Sequence, residues 1–121
     1  MKMRVAVLVG GPSSEHEISL RSGTMVARSL NRRRYDVAKV KIAKTGRWPI
    51  TFKTFRERFD VAFNALHGEY GEDGTLQRIL DREGIRYTGS GARASELGMN
   101  KLKAFMQFSR RNLEVPPYCV V

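Results

Sequence analysis

The chain has 121 residues, one domain's worth and enough to bury an apolar core without staples. Apolar residues make up 41% of it, mean hydropathy is −0.40, and no apolar run approaches the length of a membrane span. The net charge of +10 invites a nucleic-acid reading, but no helix-turn-helix, zinc-finger or RNA-binding signature accompanies it, and a specific nucleic-acid partner is set aside.

The opening MKMRVAVLVGG has the basic end and short apolar run of a signal peptide. A glutamate-containing helix follows in place of a small-residue cleavage site, so the run reads as a strand and the protein as cytoplasmic. Residues 4–9 form that strand, ended by Gly10 and Gly11. Ser13 and Ser14 are good helix caps, and Ser14 with Glu17 has capping-box spacing. The helix that follows can carry Ile18, Met25, Val26, Ser29 and Leu30 on one face and stops at Asn31. Arg32, Arg33 and Arg34 then set cations beside its negative pole.

Residues 36–43 give a second strand, with Val37, Val40 and Ile42 apolar, and residues 44–47 a turn. Residues 48–52 read as a short strand or edge ribbon, since Pro49 argues against a central one. The segment 31–58 holds ten Lys/Arg against Asp36 and Glu57, a charge of +8 that suits a solvated or docked surface.

A third buried strand is expected over 60–66 (DVAFNAL), and a helix from Thr75 that Gly84 ends. Residues 85–88 suit a short fourth strand, and residues 94–108 are helical, with Leu102, Phe105, Met106 and Phe108 available to pack. Residues 112–117 break the pattern, and 118–121 begin a strand-like run. The order β-α-β-β-α-β-α predicts an open, doubly wound α/β domain, a Rossmann-like parallel sheet layered between helices. Residues 1–115 are assigned to this domain and 116–121 to the start of a following one.

Ligands in such sheets collect beyond the carboxyl ends of the strands. Two unusual loops fall there, GGPSSEHE (10–17) and HGEYGEDG (67–74). They bring Glu15, His16, Glu17, His67, Glu69, Glu72 and Asp73 to one rim, acids and histidines in an otherwise basic chain. The first loop lacks G-x-G-x-x-G spacing, and no G-x-x-x-x-G-K-[ST] loop occurs anywhere. His16 and His67 lack metal-ligand spacing, and the lone Cys119 excludes an internal disulfide or a cysteine-based cluster. Glu17 is explained as half of the capping box. Glu15 either complements the helix dipole or receives a ligand ammonium. His67 is either a satisfied strand-end residue or a donor to a carboxylate or phosphoryl oxygen. Glu72 and Asp73 suit a cap for the helix at Thr75.

Three segments taken together are more specific: GGPSSEHEISLRSG, NALHGEYGEDGTLQ and YTGSGARASELGMNK. In this order and at these separations the chain, from Val5 to about Pro117, resembles the N-terminal domain of the D-alanine–D-alanine ligase family within the ATP-grasp superfamily. The resemblance implies a pre-ATP-grasp, three-layer fold. It implies a ligase making the D-alanyl-D-alanine unit of peptidoglycan, in which ATP phosphorylates one D-alanine and the amine of a second attacks the acyl phosphate. By position, Glu15 anchors the ammonium of the first D-alanine, His67 lies beside it, and Lys101 reaches toward the ATP phosphates. The family's usual Asp before that lysine is Asn100 here. ATP and Mg2+ are held mainly by ATP-grasp domains outside these residues, so the fragment alone is expected to be inactive. The resemblance also implies a homodimer. A different reading of the same fold is a non-catalytic module that holds an amino acid or a protein partner.

Overall fold

The computed structural model describes all residues, Met1–Val121. Strand β1 (Met3–Gly10) is central, flanked by parallel β2 (Tyr35–Ile42) and β3 (Val61–Asn64) in the order β2-β1-β3. Helix α1 (His16–Ser29) follows β1, α2 (Phe52–Arg58) precedes β3, and α3 (Thr75–Arg82), α4 (Ala92–Met99) and α5 (Lys101–Arg110) complete the chain.

The pleat of β1 sorts its side chains into two cores. Ala6 and Leu8 face Ile42, Phe55, Leu76 and Leu80, so α2 and α3 cover one side. Val5, Val7 and Val9 face Ala27 of α1 on the other. The three-layer α/β expectation therefore holds.

The buried face of α1 is small and partly polar: His16, Ser19, Gly23 and Ala27. A Cβ built on Gly23 would stand 1.9 Å from Val9 Cγ1, so glycine is what lets the helix descend onto the sheet. Val26 and Leu30 pack at the edge of that core, but Ile18 and Met25, expected on the same face, are exposed. The close approach at Gly23 fixes the rotation of α1 and turns them outward.

Other departures have local causes. The capping box does not form: α1 begins at His16 without a side-chain cap, because the Ser13 hydroxyl rather than that of Ser14 accepts from Glu15 N. Residues 48–52 are not a strand. Thr51 Oγ1 accepts from Thr54 N at 3.1 Å and starts α2, while Trp48 packs edge-on to Phe52 and Phe55. The fourth strand shrinks to one parallel bridge between Ala62 and Tyr87. There the Thr88 hydroxyl takes Asn64 N–H at 3.0 Å, and Gly89 (φ 98°) turns the chain away.

Helix α5 buries only Ala104, leaving Leu102, Met106 and Phe108 exposed, and residues 118–121 form no strand. Asn100 caps α5, its Oδ1 accepting from Lys103 N at 3.0 Å, a role that aspartate would fill equally.

At the amino end of the sheet, Asp60 accepts from Arg4 Nε, Nη2 and backbone N at 3.2, 2.9 and 2.8 Å. The hydrogen bonds from the Arg4 side chain and then its backbone hold the Asp60 carboxyl at about 2, below its ordinary 3.8. A depressed folded-state value means the pair stabilises the fold above the unfolded carboxyl's range and is lost as pH falls toward 2. Acid titrations of folding should therefore diverge between wild type and Asp60→Asn above pH 3.8 and converge near pH 2. Two glycines give a paired test by urea unfolding. Gly23→Ala should lose about 1–3 kcal/mol through overpacking. Gly98→Ala, with nothing within 4 Å of the new Cβ in α4, should gain about 0.5–1 kcal/mol.

Candidate functional site

The loops after β1 and β3 meet at the carboxyl end of the sheet, and α1 joins them. Gly10 ends β1 at φ 88°, where a Cβ would lie 2.5 Å from Ile42 O. The chain then turns over His16, which is 4% exposed and whose Nδ1–H donates to Gly11 O at 2.6 Å. His16 thus shapes the first loop from inside and presents nothing to a ligand.

Glu15, Ser19 and Ser22 follow one another up α1 at helical spacing, each facing the segment after β3. The fully buried Ser19 hydroxyl accepts from Gly10 N at 2.9 Å and donates to Ala65 O at 2.7 Å, tying the two strand ends together. Ser22 Oγ lies 2.9 Å from His67 Nε2. The Glu15 carboxylate rests against Gly68, where an added Cβ would stand 2.6 Å from Glu15 Oε2. Ser13 closes the contact, donating to His67 O at 2.7 Å while accepting from Glu15 N at 3.1 Å.

The loop 67–74 is built from its own acids. Glu72 Oε2 accepts from Gly68 N at 2.8 Å, and Glu72 Oε1 stands 3.9 Å from His67 Nδ1. Asp73 accepts from Tyr70 N at 3.1 Å and from Thr75 N at 3.0 Å, but the N-cap of α3 is Gly74 without a side-chain cap and Glu72 bonds back to Gly68, so the expected acidic cap does not form. Burial pushes the Asp73 carboxyl up, but the hydrogen bonds from Thr75 and Tyr70 together outweigh it and leave it below its ordinary value. Tyr70 adopts φ 74°, and its hydroxyl accepts from Trp48 Nε1 at 3.0 Å. Burial raises that phenol above its ordinary range, against the Trp48 bond. The basic segment therefore reaches the site loop through Trp48. Asn64 and Gln77 both donate to Gly71 O, at 2.8 and 2.9 Å, and fix the loop's second half.

Of the seven rim residues expected from sequence, the structure brings Glu15 and Glu72 to the Gly68 backbone, with Glu72 also facing His67. Glu17 points outward, 4.0 Å from Lys44, and Glu69 is exposed. Lys101 is exposed in the first turn of α5, and no hydrogen bond or ion pair joins it to Glu15 or His67. Sequence reasoning missed Ser19, Ser22 and Asn64, and saw Ser13 only as a helix cap. The readable signal was the spacing of Ser19 and Ser22 from Glu15 along α1. No three His, Cys, Asp or Glu side chains converge in a metal-holding group.

The His67 imidazole, with Glu72 facing its Nδ1 and the Glu15 carboxylate against Gly68, makes this end of the sheet locally acidic, an arrangement that can accept hydrogen bonds from a cationic group.

A family model described as D-ala D-ala ligase N-terminus matches residues 4–58 and 49–90. The D-alanine–D-alanine ligase of Geobacter sulfurreducens is 47% identical over 118 residues, 98% of this chain and 36% of that protein. The solved structure of the Coxiella burnetii D-alanine–D-alanine ligase shares the fold, with a TM-score of 0.86 at 23% identity over 96% of this chain and 43% of that one. VanG, a D-Ala:D-Ser ligase from Enterococcus faecalis, superposes with a TM-score of 0.82 at 28% identity, covering 97% of this chain and 44% of that one. The chain thus spans about a third of the length of the curated relative it matches. With the matched model running through both loops of the site, the chain belongs to the D-Ala–D-Ala ligase N-terminus family.

Proposed function

We propose that this chain is the N-terminal, substrate-side domain of an ATP-dependent D-alanine–D-alanine ligase of peptidoglycan synthesis, working in the cytoplasm. The observation that carries the reading is the Glu15 carboxylate seated against Gly68 at the carboxyl end of the sheet, beside His67. In a chain of net charge +10, this is a locally acidic place where a small cationic group gains both charge and hydrogen bonds.

Glu15 receives the ammonium of the first D-alanine, held at the start of α1. His67 lies alongside and orients the amino acid; it supplies no nucleophile. ATP, toward whose phosphates Lys101 would reach, would supply the phosphoryl group that activates the first D-alanine's carboxylate with release of ADP, and phosphate would leave as the second amine forms the amide. Lys101, exposed and unpaired, is free to reach toward the phosphates from α5. The residues present do not fit a magnesium site, since no three His, Cys, Asp or Glu side chains form a group that could hold a metal ion. The ligands of magnesium, and the choice of acceptor amino acid, belong to the ATP-grasp domains proposed to begin at residues 116–121.

Two exposed apolar surfaces support partners for this domain. Leu102, Met106, Phe108 and Leu113 are uncovered on and after α5, suited to an adjoining domain. Ile18 and Met25 stand exposed two turns apart on α1, suited to a second copy in a homodimer. No helix of the chain is long and apolar enough to cross a membrane.

The test is a ligase assay with ATP, magnesium and D-alanine on a protein joining this domain to its nucleotide-clamping domains. Glu15→Gln should raise KM for the first D-alanine roughly 10- to 100-fold, the worth of a charge-assisted hydrogen bond. An unchanged KM would remove Glu15 from the amino-acid site.

A further inference from the structure

We propose that Ser22 is a positioning residue for His67: its hydroxyl donates to Nε2 and holds the imidazole as the Nδ1–H tautomer, with that proton turned toward Glu72. The functional consequence rests on the reading of His67 given above; the assignment of the proton does not.

Helical Ser and Thr hydroxyls commonly bond back to the carbonyl four residues earlier. Thr24 does so to Leu20 O at 3.0 Å, and Ser29 to Met25 O at 2.8 Å. Ser22, on the same helix, does not: its hydroxyl hydrogen-bonds to His67 Nε2 at 2.9 Å, across 45 residues of sequence. The other ring nitrogen decides the direction of that bond. Nδ1 faces Glu72 Oε1 at 3.9 Å, and a carboxylate can only accept. Electrostatics therefore favour a proton on Nδ1, which leaves Nε2 a lone pair and makes Ser22 the donor.

Glu72 is itself fixed, since its other oxygen takes Gly68 N–H at 2.8 Å. The His67 backbone is fixed from the opposite side by Ser13, which donates to His67 O at 2.7 Å. The residue is thus held at Nε2 by Ser22 and at its carbonyl by Ser13, with Nδ1 facing the Glu72 carboxylate, one residue before the glycine against which Glu15 rests. Swinging the ring out of this place would break the Ser22 bond and turn Nδ1–H away from the acid. Ser22 therefore contributes orientation and contacts no reacting atom.

The test is 15N–1H correlation of the imidazole nitrogens in this chain, in mildly alkaline buffer, for wild type, Ser22→Ala and Ser22→Thr. Wild type should show a protonated, pyrrole-like Nδ1 and an acceptor-type Nε2. Ser22→Ala should lose that preference and move toward a tautomer mixture, and Ser22→Thr, which keeps a hydroxyl, should retain it. Alanine is a good helix former, so the variant should fold, and its amide dispersion reports this directly. A wild-type Nε2–H tautomer overturns the proposal without any variant. So does a Ser22→Ala spectrum that keeps the wild-type tautomer. These readouts are independent of ligase turnover, so loss of the ligase reading would leave them standing.

Discussion

A single buried hydroxyl ties the site to the sheet. Ser19 accepts from Gly10 N and donates to Ala65 O, so the ends of β1 and β3 are held by one atom of α1. It is fully buried, and both of its partners are backbone groups at the strand ends. Replacing it with an apolar side chain would orphan an N–H and a carbonyl together, a cost of about 1–3 kcal/mol for each. The hydroxyl can reach both strands only because Gly23, one turn further on, lets α1 lie against Val9 and Val7. Helix position, strand-end spacing and the rotation that aims Glu15 and Ser22 at the second loop follow from these two small residues.

The polar groups of the rim then serve one another. Ser13 bonds to both loops, Glu72 and Asp73 close the second loop on its own amides, and Asn64 and Gln77 share the carbonyl of Gly71. Fixed dipoles of this kind need little rearrangement when a charged group approaches. Beside the second loop, Glu72 and Asp73 accept from loop backbone N–H groups, whereas the Glu15 carboxylate accepts from none.

Much of this could be read from the sequence, and what could not has physical reasons. Strand β1 was legible because it is apolar throughout and Gly10 and Gly11 mark its end, and β2, β3 and α3 from the apolar residues they bury. The pairing of GGPSSEHE with HGEYGEDG was legible from topology, since both loops follow strands of one sheet. Helix α2 was hidden: Pro49 and the aromatic residues around it look extended, whereas the decisive signal was the Thr51 cap ahead of Phe52, Phe55 and Phe59. The face of α1 was misjudged because periodicity counts large apolar residues, and this helix packs through Ser19, Gly23 and Ala27. The roles of Ser13 and Ser22 depend on contacts across more than 40 residues, which spacing along the chain does not carry.

The most direct measurement is a crystal structure, with D-alanine bound, of a protein that joins this domain to its ATP-grasp domains. The expected result is the amino-acid ammonium within hydrogen-bond distance of Glu15, with the His67 ring beside it and still on Ser22. D-alanine bound elsewhere, with the Glu15 carboxylate facing open solvent, would contradict it.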